Sequence, residues 1–127
     1  MKIRILDDNV RLRLARSEVE CIASGRAVEA STRFPDGGRF RYALEVGGGE
    51  MTAAFRVGSL VISVPPAAAQ HWAATDTEVS IRGSLPLDDG ALGILIEKDF
   101  ECLEPRPGED AKDRFPNPKA RRDASGD

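Results

Sequence analysis

The chain is poor in the residue types that most often carry chemistry. Its 127 residues include one histidine and two cysteines, and aromatic side chains make up 6%. Cys21 and Cys102 are too few and too far apart for the disulfide framework that staples small secreted domains. With His71 alone, and no CxxC or HExxH spacing, no transition-metal set can be assembled from sequence neighbours. No apolar run approaches the ~18 residues of a membrane-spanning helix. The opening MKIRILDDNVRLR places charges at positions 2, 4, 7, 8, 11 and 13, so it contains no signal-peptide core. A Gly-x-Ser-x-Gly elbow is missing, and Gly47-Gly48-Gly49-Glu50 lacks the Lys-Ser/Thr of a phosphate loop. These absences lead to the expectation of a soluble, cytoplasmic protein with no membrane partner and no resident cofactor.

What the sequence does hold is alternation. Hydrophobic residues make up 41% and the formal net charge is −3, a composition suited to one domain able to bury roughly two-thirds of its unfolded surface. Ile3 and Ile5 alternate with Lys2 and Arg4. Val10, Leu12 and Leu14 alternate with Arg11 and Arg13, and Asp7-Asp8-Asn9 supplies turn chemistry between the two runs. Ser17 to Glu20 fits a capping box opening a two-turn helix that Gly25 ends. Strands are expected over 27–33 and around Phe40, Tyr42 and Leu44. The order then recurs: strands over 51–57 and 60–64, a helix opened by Pro65-Pro66, a strand at Val79 and Ile81, and a last one through Leu92, Ile94 and Ile96.

A shift of 50 residues superposes Val10, Leu12 and Leu14 on Leu60, Ile62 and Val64, and a shift of 52 carries Phe40, Tyr42 and Leu44 onto Leu92, Ile94 and Ile96. An internal duplication of a ββαββ unit accounts for this, and so does the chance self-alignment of any β-rich chain. The expected fold is α+β and mostly antiparallel, with about eight strands curled or closed into a barrel-like sheet and two short helices. The folded domain is placed at 1–103. Residues 104–127 hold four of the eight prolines and almost no aliphatic side chains. They are expected to form a charged strap or tail with disordered last residues, Phe115 being the one candidate anchor.

The stretch EKDFECL at 97–103, followed by GED at 108–110 and DRFPNP at 113–118, together with the IRI, RLRL and SEVE elements, resembles a family of small uncharacterised bacterial proteins. The resemblance implies a fold spanning nearly the whole chain and transfers no catalytic residue.

Arginine on the polar phase of the strands is the most suggestive feature. Lys2, Arg4, Arg11 and Arg13 should share one face of the first hairpin, and Arg39 and Arg41 take the polar phase of the fourth strand. Residues 1–60 carry a net charge of +2 and residues 61–127 of −5. Guanidinium forks suit carboxylates and phosphates. The leading reading is therefore a non-enzymatic binding protein whose basic face, Lys2, Arg4, Arg11, Arg13, Arg39 and Arg41, takes an anionic small molecule or an acidic protein. A solvated face, or one covered by the chain's own acidic segment 97–113, are the plain alternatives. Nucleic acid is disfavoured by a sequence pI near 5.3, and self-association remains open. The rival reading is an enzyme or metal protein using Cys102, His71 and the carboxylates Glu97, Asp99, Glu101, Glu104, Glu109, Asp110 and Asp113.

Overall fold

The computed structural model describes residues 1–77, 79–100 and Phe115. Eight strands and two helices follow one another as β1 (Lys2–Leu6), β2 (Asn9–Leu14), α1 (Arg16–Ala23), β3 (Val28–Arg33), β4 (Arg39–Val46), β5 (Thr52–Arg56), β6 (Ser59–Val64), α2 (Pro66–Ala74), β7 (Ser80–Leu87) and β8 (Gly90–Lys98). They form two four-stranded sheets. Sheet A has the order β1-β2-β8-β7 and sheet B the order β3-β4-β6-β5.

The α+β class, eight strands and two short helices match the expectation. The barrel does not. Closure needs hydrogen bonds between the outermost strands, whereas among the described residues β1, β7, β3 and β5 are all edges and the sheets are separate. The pairing is mostly antiparallel, as expected, in four of the six strand pairs. Each sheet joins two hairpins through a central parallel pair, β2 with β8 and β4 with β6. Alternation reveals which face of a strand is apolar but not which distant strand lies beside it.

The order ββαββ occurs twice, and each half gives one hairpin to each sheet. The two central registers correspond closely. Val10, Leu12 and Leu14 lie opposite Ile94, Ile96 and Lys98, while Leu60, Ile62 and Val64 lie opposite Tyr42, Leu44 and Val46. Gly93 N–H donates to Asp8 O (2.8 Å) where Arg41 N–H donates to Gly58 O (2.9 Å). Asp99 N–H donates to Leu14 O where Gly47 N–H donates to Val64 O, both at 2.8 Å.

The inner faces of both sheets and one face of each helix form a single apolar cluster. Val19 and Ile22 of α1 are buried, as are Ala69 and Trp72 of α2. Trp72 Nε1 donates to Val79 O at 3.1 Å, which satisfies the indole N–H. Helix α1 starts earlier than its sequence suggests. Its N-cap is Ala15, and Glu18, not Glu20, reaches back to accept the Ala15 N–H at 2.9 Å. The glutamate half of a capping box alone satisfies that donor. At the other end Gly25 takes φ +83°, Gly25 N–H donates to Ile22 O and Arg26 N–H to Cys21 O, a Schellman closure.

Candidate functional site

Strand alternation turns Val10, Leu12 and Leu14 inward, so Arg11 and Arg13 stand on the outer face of sheet A. Lys2 and Arg4 of β1 join them, because β1 pairs Lys2 with Arg13 and Arg4 with Arg11. Like charges directly opposite one another oppose pairing. The parallel neighbour β8 relieves part of this. Glu97, in register with Arg13, presents Oε1 to Arg13 Nε at 3.2 Å and to Arg11 Nε at 3.4 Å. Asp99 Oδ2 lies 3.2 Å from Lys2 Nζ.

One row across the sheet has such compensation only at Arg11. Arg4, Arg11, Leu95 and Arg82 are in register from β1 through β2 and β8 to β7. Arg4 and Arg82 are exposed and make no ion pair among the described residues. These three arginines line an open groove of about 700 Å³, with Leu6, Leu95, Asn9, Ser84 and Gly93 completing its walls. A Cβ at Gly93 would meet the Asn9 side-chain oxygen, so the exposed Asn9 side chain would have to move aside. A smaller hollow of about 230 Å³ adjoins it between Lys2, Arg4, Arg11 and Arg13. The basic surface therefore faces solvent on an open sheet.

The six basic residues singled out in the sequence do not form one face. Arg39 and Arg41 lie on the outer face of sheet B, in register with Arg33 and with Ser31 and Ser59. Arg82, which belongs to the site, escapes sequence reasoning. It occupies the polar phase of the Val79–Ile81 alternation, but only the β2–β8–β7 register brings it to Arg11. The rival constellation fares differently again. His71 is exposed on the last turn of α2, and Cys102 and the carboxylates from Glu101 to Asp113 lie outside the described residues. Among the described residues no three His, Cys, Asp or Glu side chains gather as a metal set, and no helix is long and apolar enough to cross a membrane.

The other end of β8 holds two buried charged residues, Lys98 and Asp99. Lys98 Nζ donates to Thr75 O at 2.5 Å, beyond the end of α2, and lies 5.9 Å from the Trp72 ring centroid. Phe115 closes over this corner. Its N–H donates to Asp99 O at 2.9 Å, its ring meets Phe100 edge-on at 5.9 Å, and Lys98 and Arg16 each approach its face to 5.6 Å. The candidate anchor of the C-terminal segment is thus packed against the core.

In comparison with known protein families, residues 1–119 fit the model of a family of unknown function, DUF7009. No curated protein and no solved structure matches the chain.

Proposed function

The chain belongs to that family of unknown function, and we propose that it is a non-enzymatic binding protein whose outer face of sheet A takes an anionic small ligand. The carrying observation is the row Arg4–Arg11–Leu95–Arg82, in which three guanidiniums line one groove and the one described carboxylate ion-paired with them, Glu97, is shared between Arg11 and Arg13. A phosphate or carboxylate group laid on that row would gain charge-assisted, forked hydrogen bonds and relieve the mutual repulsion of the arginines. Leu6 and Leu95 offer an apolar wall to the body of such a ligand. The correspondence between the two ββαββ halves supports descent from one duplicated unit, with the basic row developed in only one sheet. At the matching positions, sheet B carries Ala54, Val61, Ala43 and Glu29, themselves in register.

Calorimetric titration with pyrophosphate and with citrate tests this reading. Binding is expected at low salt, weakening as salt rises. Each hydrogen bond to a charged group is worth ~1.5–3 kcal/mol, so replacing both Arg4 and Arg82 by alanine should weaken binding about 100-fold or more. The paired control Arg39→Ala/Arg41→Ala should change it little. No binding of either anion, or equal loss in both variants, would overturn the assignment.

A further inference from the structure

The two sheets end in opposite charge on the side away from the helices. In sheet A the β1–β2 turn is Asp7-Asp8 and the β7–β8 turn is Asp88-Asp89, and the parallel pairing of β2 with β8 sets both turns at one end. All four carboxylates are exposed, and none is in an ion pair among the described residues. Beside them stand exposed Ile5, Leu6 and Leu87. In sheet B the matching end carries four arginines against one exposed carboxylate, Asp36 of the β3–β4 turn. Arg33 and Arg39 are cross-strand partners, Arg41 lies two residues further along β4 and opposite Ser59, and Ser59 also faces Arg56. These four are exposed and likewise make no ion pair among the described residues. Phe34, Phe55 and Val57 are exposed beside them. Val57 is fully so, at 102%, and its φ of +49° is one that a β-branched residue adopts only under strain.

We propose that these ends bind each other between molecules: the acidic, aliphatic end of sheet A on one copy seats against the arginine- and phenylalanine-bearing end of sheet B on a second copy. Charge complementarity names the occupant, four carboxylates facing four guanidiniums on surfaces of one chain that do not neutralise each other within it. Exposed ion pairs alone contribute little. Here each charged set is interleaved with large apolar side chains, so closing the contact also removes apolar surface from water. The contact joins unlike surfaces. It therefore either occurs twice in a two-fold pair or repeats along a line of copies. Arg4, Arg11 and Arg82 take no part, so the contact shares only Leu6 with the lining of the anion groove.

Sedimentation velocity and light scattering across a concentration series test it. At low salt the mean mass is expected to rise above that of one chain, and to fall back in about 0.5 M NaCl, where the screening length is roughly 4 Å. Arg39→Glu/Arg41→Glu and Asp88→Lys/Asp89→Lys should each be monomeric while keeping the wild-type circular dichroism. Asp7 is left in place because its φ of +52° disfavours longer side chains. Mixed together, the two variants should reassociate, since the acidic end of the first meets the basic end of the second. Arg4→Ala/Arg82→Ala should associate as the wild type does. A wild type that stays monomeric at low salt, association that survives Arg39→Glu/Arg41→Glu, or a mixture that remains monomeric would each overturn the proposal.

Discussion

Leu12 in β2 and Ile62 in β6 occupy matching registers, opposite Ile96 and Leu44, and both are fully buried. One residue earlier, Arg11 and Val61 match just as well, opposite Leu95 and Ala43, yet one is a guanidinium in an arginine-lined row and the other an aliphatic side chain. The difference between sheets A and B is thus concentrated on their outer faces and turns. Inward positions of both sheets meet in one cluster with the helices, and close packing there leaves little latitude for charge or volume. Outward positions answer only to solvent or to a ligand. Lys98 is the instructive exception, an inward residue matched by Val46 in the other sheet. Its ammonium is accommodated because Thr75 O and the rings of Trp72 and Phe115 surround it.

The largest effect should come from challenging the equivalence of the inner faces. Leu12→Ala and Ile62→Ala each remove a fully buried aliphatic side chain, and each should cost about 2–5 kcal/mol in urea unfolding. If the two sheets share one core, both variants should unfold in a single transition and their losses should be similar. A variant that melts one sheet while sparing the other would break the comparison at its root.

Much of this was legible before the fold was known. The alternation at Val10, Leu12 and Leu14 and at Leu60, Ile62 and Val64 gave the buried phase of both central strands, because each has one wet face. Partner choice was not legible. Nothing in NVRLRL states that its neighbour is GALGILIEK rather than a strand nearby in sequence, so alternation alone leaves out Arg82 and puts Arg39 and Arg41 on a face they do not share. The start of α1 was misplaced for a local reason. Glu18 caps the Ala15 N–H from within the helix, so the serine that looked like a cap lies inside the first turn.

A smaller effect should follow from comparing the turns. Val57-Gly58 and Asp7-Asp8 close equivalent hairpins, and both Val57 and Asp7 have positive φ. Asn-Gly suits such a two-residue turn, whereas valine resists the left-handed region. Val57→Asn should therefore raise stability by about 1 kcal/mol, while Asp7→Asn should leave it nearly unchanged. Thermal melts of the two variants measure this directly. If Val57→Asn also lowers the mass seen at low salt, the strained valine belongs to the contact between copies.

The finest contrast lies at Tyr42, whose match in sheet A is Ile94. The phenol donates to Met1 O at 3.0 Å. Burial first, and then the Glu18 carboxylate, hold its pKa above the usual value of 10.0. In the unfolded chain the phenol ionises near pH 10, so above that pH the unfolded state binds fewer protons than the folded one and stability falls as pH rises. Below pH 10 the contribution is fully present. Tyr42→Phe should cost about 0.5–1.5 kcal/mol at neutral pH through the lost hydrogen bond. The gap between the variant and the wild type should then narrow as pH rises past 10, because only the wild type loses the phenol's contribution there. Tyr42 is the sole tyrosine, so tyrosinate absorbance reads its titration without interference. The lysines and arginines are common to both proteins, and their titration cancels in the difference. A gap that stays constant to pH 11 would show that the Met1–Tyr42 contact between the sheets does not depend on the protonated phenol.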